Sequence, residues 1–148
     1  MSEPTGLRLI AESADDLPVI SAAVQDAVTK VRNIKYQAKK RRFSIELNRF
    51  RWEVGKDARK ERVRSLLAFD GVLGVKSNGV AKTHRELIIS VLSLEWAADD
   101  EPPGGTLTLR LAGDGEFQVR VEAIDVTLLD SEYVWPTRKR PDHEQRRR

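Results

Sequence analysis

GTLTLRLAGDGEFQVRVEAIDVTLLD, residues 105–130, alternates apolar and polar side chains so regularly that it dictates two strands and a turn. Leu107, Leu109 and Leu111 share one face, while Thr106, Thr108 and Arg110 share the other. Beyond Gly113-Asp114-Gly115 the pattern resumes, with Phe117, Val119 and Val121 apolar and Glu116, Gln118, Arg120 and Glu122 polar. A period of two is that of a strand with one buried face, so the stretch reads as a β-hairpin. Matching apolar with apolar sets Leu111 opposite Phe117, Leu109 opposite Val119 and Leu107 opposite Val121. That register centres a three-residue loop on Asp114 and gives Gly115 the positive-φ place of a type I turn closing with a bulge. After Ala123 the apolar phase slips to Ile124, Val126 and Leu128, which predicts a bulge where the strand bends around a core.

Outward from the hairpin, ADDEPPGG breaks the chain, and residues 83–96 precede it. Thr83 and Glu86 form a capping-box pattern, but Ile88, Ile89 and Val91 favour a strand, and Leu92, Leu94 and Trp96 alternate; a strand is predicted. Further upstream, Leu66 to Phe69 and Val72 to Lys76 read as short strands joined at Asp70-Gly71 and closed by Asn78-Gly79, after a charged connection over 54–62. Residues 29–54 form a second hairpin, with Ala38 opposite Phe43, Tyr36 opposite Ile45 and Ile34 opposite Leu47. Its loop is four residues, Lys39 to Arg42, around a type I turn, and the same register puts Val31 opposite Phe50. Near the start, LRLIA (7–11) is a strand apolar on both faces. A helix follows, capped by Asp15 or Asp16 with Pro18 in its first turn and Leu17, Ile20, Val24 and Val28 along one stripe. The architecture expected is mainly β: an antiparallel meander of about seven or eight strands curled into a barrel or sandwich, with one N-terminal helix packed on it.

At 148 residues the chain fits a single β-rich domain over 1–136, followed by a basic, flexible tail over 137–148. It has no cysteine, which excludes thiol chemistry, cysteine-bound zinc and disulfides. With no apolar run long enough for a membrane span and no signal-peptide pattern at the start, a cytoplasmic location is expected. The net charge of +3 is strongly partitioned: residues 1–26 carry −4, 27–64 carry +10, 65–134 carry −7 and 135–148 carry +4.

The two histidines, His84 and His143, form no metal-ligand pair and no catalytic set with serine and aspartate. Asp99-Asp100-Glu101 lacks the spacing of a calcium loop, and no glycine-rich phosphate motif precedes a helix. The residues therefore call for no catalytic group, metal or cofactor. One constellation stands out. Lys35, Lys39, Lys40, Arg41, Arg42, Arg49, Arg51, Lys56, Arg59, Lys60, Arg62 and Arg64 are interleaved with Tyr36, Phe43, Phe50 and Trp52. Strand-borne aromatics among cations can bind single-stranded nucleic acid or another polyanion. Equally, the rings can be core and the charges solvated edges matched by the acidic strands. The expectation is a non-enzymatic protein-interaction or assembly module with a protein partner, the alternative being a polyanion binder acting through residues 35–64.

The order LRLIA, ISAAVQDAV, FSIELNRFRWE, FDGVLGVKSNGV and the hairpin above, then Trp135-Pro136-Thr137-Arg138 with Pro141-Asp142-His143, resembles a family of short alphaproteobacterial proteins known only as a domain of unknown function. The resemblance spans nearly the whole chain. It implies a single cytoplasmic domain, encoded near histidinol dehydrogenase, and brings no activity, cofactor or catalytic residue.

Overall fold

A computed structural model describes residues 6–52 and 61–136, residue 61 and residues 132–136 by backbone alone. The elements are β1 (Arg8–Ala11), α1 (Leu17–Val24), β2 (Val28–Lys30), β3 (Ile34–Gln37), β4 (Arg42–Phe50), β5 (Glu61–Asp70), β6 (Val72–Asn78), β7 (Ile88–Ala98), β8 (Gly105–Leu111), β9 (Glu116–Val121) and β10 (Val126–Pro136). All strand pairs are antiparallel, in the order β1-β10-β5-β4-β2-β7-β8-β9-β6, with β3 also on β4.

The sheet curls without closing, leaving β1 and β6 as the ends of its order. Two corners bend it. Gly71, at φ +70°, turns β5 directly into β6, and β7 pairs with β2 at its start and with β8 further on. The two halves thus face one core: the Phe43 ring on β4 lies 5.7 Å from Phe69 on β5 and 5.4 Å from Phe117 on β9. Truncating such a buried ring costs about 3–5 kcal/mol. Leu17, Ile20, Ala23 and Val24 of α1 plug the same core. Pro18 sits in the first turn, where its missing amide costs nothing. The helix ends at Val24, so Val28, expected on its stripe, belongs to β2 instead.

Both hairpins have the expected strand pairing but a register shifted by two residues, and in the N-terminal one Tyr36 and Ala38, expected among its paired apolar residues, are exposed. In the C-terminal hairpin Leu107 opposes Val119 and Leu109 opposes Phe117. The turn is made by Gly113 (φ +83°) and Asp114 (φ +72°), not by Gly115. Two successive left-handed residues reverse the chain with the twist of the strands, and Gly115 then accepts the Leu111 N–H at 2.8 Å. In the N-terminal hairpin Ile34 opposes Ile45 and Tyr36 opposes Phe43. Its four-residue loop is Ala38 to Arg41, a 3-10 turn closed by Arg41 at φ +55°. Val31 does not face Phe50; it lies in a 3-10 turn, and its N–H bonds to Leu87. That turn divides the expected long strand into β2 and β3. Residues 122–125 likewise separate β9 from β10 where a bulge was expected, which raises the count to ten strands among the described residues. Of residues 83–96, expected as a strand, 83–87 form turns instead and β7 begins at Ile88.

Candidate interaction surface

Strand β4 carries Phe43, Ile45, Leu47 and Arg49 inward, and β10 carries Val126, Leu128 and Asp130 against the same interior. The alternation that buries the hydrophobes therefore buries a cation and an anion at the same end of the core. The pair is bidentate: Arg49 Nε donates to Asp130 Oδ1 at 2.9 Å and Nη2 to Oδ2 at 2.6 Å, with both side chains 0% exposed. Ser65 Oγ donates to Oδ1 at 2.5 Å and the Leu7 N–H to Oδ2 at 3.1 Å, so all the carboxylate's lone pairs are engaged. Arg49 is thus a structural cation, removed from the polyanion set that the sequence suggested.

Four more of that set are engaged within the fold. Arg62 is 6% exposed, its guanidinium 4.5 Å from the Phe50 centroid, and burial lowers its pKa. Arg41 pairs with Glu122 at 3.2 Å, Arg42 with Asp70 at 3.0 Å and Arg64 with Glu46 at 3.1 Å. Arg51 is half-buried just beyond β4, and Lys56, Arg59 and Lys60 lie outside the described residues, as does the tail after Pro136. What stays exposed, with no carboxylate pairing among the described residues, is Lys35, Lys39 and Lys40. Of the aromatics, Phe43 is core, Phe50 and Trp52 are half-buried 5.4 Å apart, and only Tyr36, 42% exposed, could offer a face to solvent. The basic hairpin is thus divided between core, matched edge and a small tip.

A different surface gathers apolar groups. Leu7 just before β1, Leu9 within it, Pro18, Val19, Ala22 and Ala23 of α1 and Trp52 line an apolar groove of about 470 Å³. Trp52 is held across it by donating Nε1–H to the Gln25 carbonyl at 3.0 Å, at the end of α1. Val19, 58% exposed, stands on the rim. Alongside runs the outer edge of β1, which pairs with no other strand among the described residues. The Leu7 carbonyl accepts the Asp130 N–H at 3.0 Å, so by antiparallel alternation Leu7, Leu9 and Ala11 turn their backbone groups to β10 and Arg8 and Ile10 turn theirs outward. Ile10 (48% exposed) and Leu129 (44%) add apolar surface on the strand's other face. The sequence held a signal for this surface: LRLIA is apolar on both faces, unusual for a strand at a sheet edge, and Val19 is off the buried stripe of its helix.

Among the described residues no three His, Cys, Asp or Glu side chains cluster as a metal site, and no helix is long and apolar enough to cross a membrane. His84 is exposed in a turn, Asp99 to Glu101 form an exposed loop, and His143 lies outside the described residues. The family model described as Protein of unknown function (DUF2948) matches residues 7–143. The chain belongs to that family. The match begins at Leu7, the residue whose backbone ties β1 to Asp130, and so takes in the whole β1 edge and groove. No curated protein and no solved structure matches the chain.

Proposed function

We propose that this DUF2948 chain is a non-enzymatic protein-interaction module of the bacterial cytoplasm, accepting an extended polypeptide segment along the β1 edge with an apolar side chain in the neighbouring groove. The observation that carries this reading is the adjacency of outward backbone groups at Arg8 and Ile10 to the apolar groove of Leu9, Val19 and Trp52. Strand addition draws affinity from main-chain hydrogen bonds and selectivity from such pockets. A chain without cysteine suits a reducing compartment. The test is capture of partners by the wild type, Val19→Asp and Ile10→Pro, with and without nuclease. A partner that survives nuclease and is lost from both variants supports the reading; one retained by both variants, or lost to nuclease, overturns it.

A second reading rests on Lys35, Lys39 and Lys40 around exposed Tyr36, a small platform for a polyanion. Replacing Lys39, Lys40, Arg41 and Arg42 together by Ser would then abolish retention of single-stranded RNA at about 50 mM salt, retention that fades by about 200 mM in the wild type. Because Arg41 and Arg42 are already matched by Glu122 and Asp70, this reading ranks second.

A further inference from the structure

We propose that the segment taken up by the β1 edge is β1 of a second copy of this chain, paired antiparallel about a two-fold axis at Ile10. This names the partner for the interaction surface above and rests on that reading. In this register Ile10 faces its own mate and Arg8 faces Glu12 of the other copy, twice by symmetry. Arg8, Ile10 and Glu12 are all exposed, and strand alternation puts them on one face, so each copy presents a cation and an anion at the spacing its mate requires.

The backbone fits the same register. Ile10 offers an outward N–H and C=O, giving two bonds across the axis. Arg8 offers an N–H to the Glu12 carbonyl of the other copy. The reciprocal donor, the Glu12 N–H, is already held by Asp16 Oδ2 at 3.1 Å, so each Arg8–Glu12 pair makes one backbone bond across the seam rather than two. The axis thus passes through the most exposed apolar residue of the strand. On one face Ile10 and Leu129 of the two copies become continuous, and on the other the groove below Val19 is brought against its counterpart.

The opposite end of the sheet lacks these features. Strand β6 is interrupted where Val72 and Gly74 pair across a register shift, and it carries Lys76, both of which blunt an edge against pairing. Strand β1 has neither a register shift nor a lysine. Four residues of strand bury less than the roughly 1,000 Å² of a lasting dimer, so the association is expected to be reversible and concentration-dependent.

The experiment is sedimentation of the full chain over a range of concentrations, with amide hydrogen exchange on the same samples, for the wild type, Arg8→Glu, Glu12→Arg and the double exchange. Self-pairing predicts a monomer–dimer equilibrium, Ile10 and Arg8 amides whose protection grows with concentration, about ten-fold weaker association in each single variant, and recovery in the double variant. A dimer indifferent to the charge exchange, or one that leaves Ile10 exchanging freely, forms elsewhere and overturns the proposal. A monomer at every concentration with freely exchanging Arg8 and Ile10 amides overturns self-pairing but leaves the edge open to another polypeptide. A monomer in which those amides are protected overturns both the proposal and the edge reading beneath it.

Discussion

Replacing Asp130 by Ala deletes a carboxylate that accepts four hydrogen bonds: two from Arg49, one from Ser65 Oγ and one from the Leu7 N–H. The largest consequence is on Arg49, whose side chain is 0% exposed and whose Nε and Nη2 would lose the carboxylate they donate to. Breaking a buried pair from one side costs about 3–5 kcal/mol, a large share of the roughly 5–15 kcal/mol that holds a domain together. Arg49→Met should cost a similar amount, since it strands the carboxylate with only the Ser65 and Leu7 donors. Arg49→Met combined with Asp130→Leu removes both charges and fills the space but leaves the Ser65 Oγ and Leu7 N–H donors without their acceptor, so it should cost clearly less than the sum of the two singles without reaching the wild type. The two single losses are therefore strongly non-additive. Urea unfolding followed by tryptophan fluorescence reads all four proteins. If Asp130→Ala costs less than about 1 kcal/mol, or the double variant loses the sum of the singles, the pair does not hold the core as described.

Gly105→Ala should be more damaging than Gly113→Ala in the same assay. A Cβ at Gly105 would lie 2.4 Å from the Trp96 ring and 2.5 Å from the Ala97 carbonyl, whereas one at Gly113 meets nothing and costs only the roughly 1 kcal/mol of its positive φ. Val119→Asp, buried opposite Leu107, should cost several kcal/mol, and Thr108→Asp on the polar face of β8 little; melting curves that coincide would contradict the facing of the hairpin. The pKa of Glu86 is lowered from its ordinary 4.5 by the Lys30 hydrogen bond and by Arg32, and that of Glu95 by the Arg110 hydrogen bond. Because the folded-state values are depressed, these carboxylates contribute stability above about pH 4.5 that is lost as pH falls through the lower folded values. Glu86→Gln with Glu95→Gln should flatten that part of the stability profile, an effect that salt also reduces.

Side-chain facing was legible in the sequence; strand register was not. A shift of two residues keeps every side chain on its face, so apolar matching alone accepts Leu109 opposite Val119 or opposite Phe117. The choice is made by the turns, where Asp114 and Arg41 take left-handed conformations that composition assigns first to glycine. The splitting of the strand around 29–38 is set by the pairing of β2 with β7, a long-range contact that no local pattern carries. The buried ion pair did leave a trace. Arg49 occupies the fourth inward place after Phe43, Ile45 and Leu47, and Asp130 the third after Val126 and Leu128, opposite charges where the alternation demands hydrophobes. Counting Arg49 with its exposed neighbours hid that match. The β1 edge was visible only as a strand apolar on both faces, because nothing local says that a strand will end at the border of its sheet.

Leu7 and Asp130 are 123 residues apart, yet the backbone of one is fastened to the side chain of the other. On the ribosome, β1 must therefore wait for β10. At roughly 5–20 residues per second that interval is on the order of 10 s, during which β1 has no β10 to lie on and both of its edges are bare. A chain cut short before Val126 would never bury Leu9, and β5 would lack one of its two neighbours. Completion of the fold thus waits on β10, and products that stop short of it should be left sticky, easily cleaved and readily distinguished from the folded molecule.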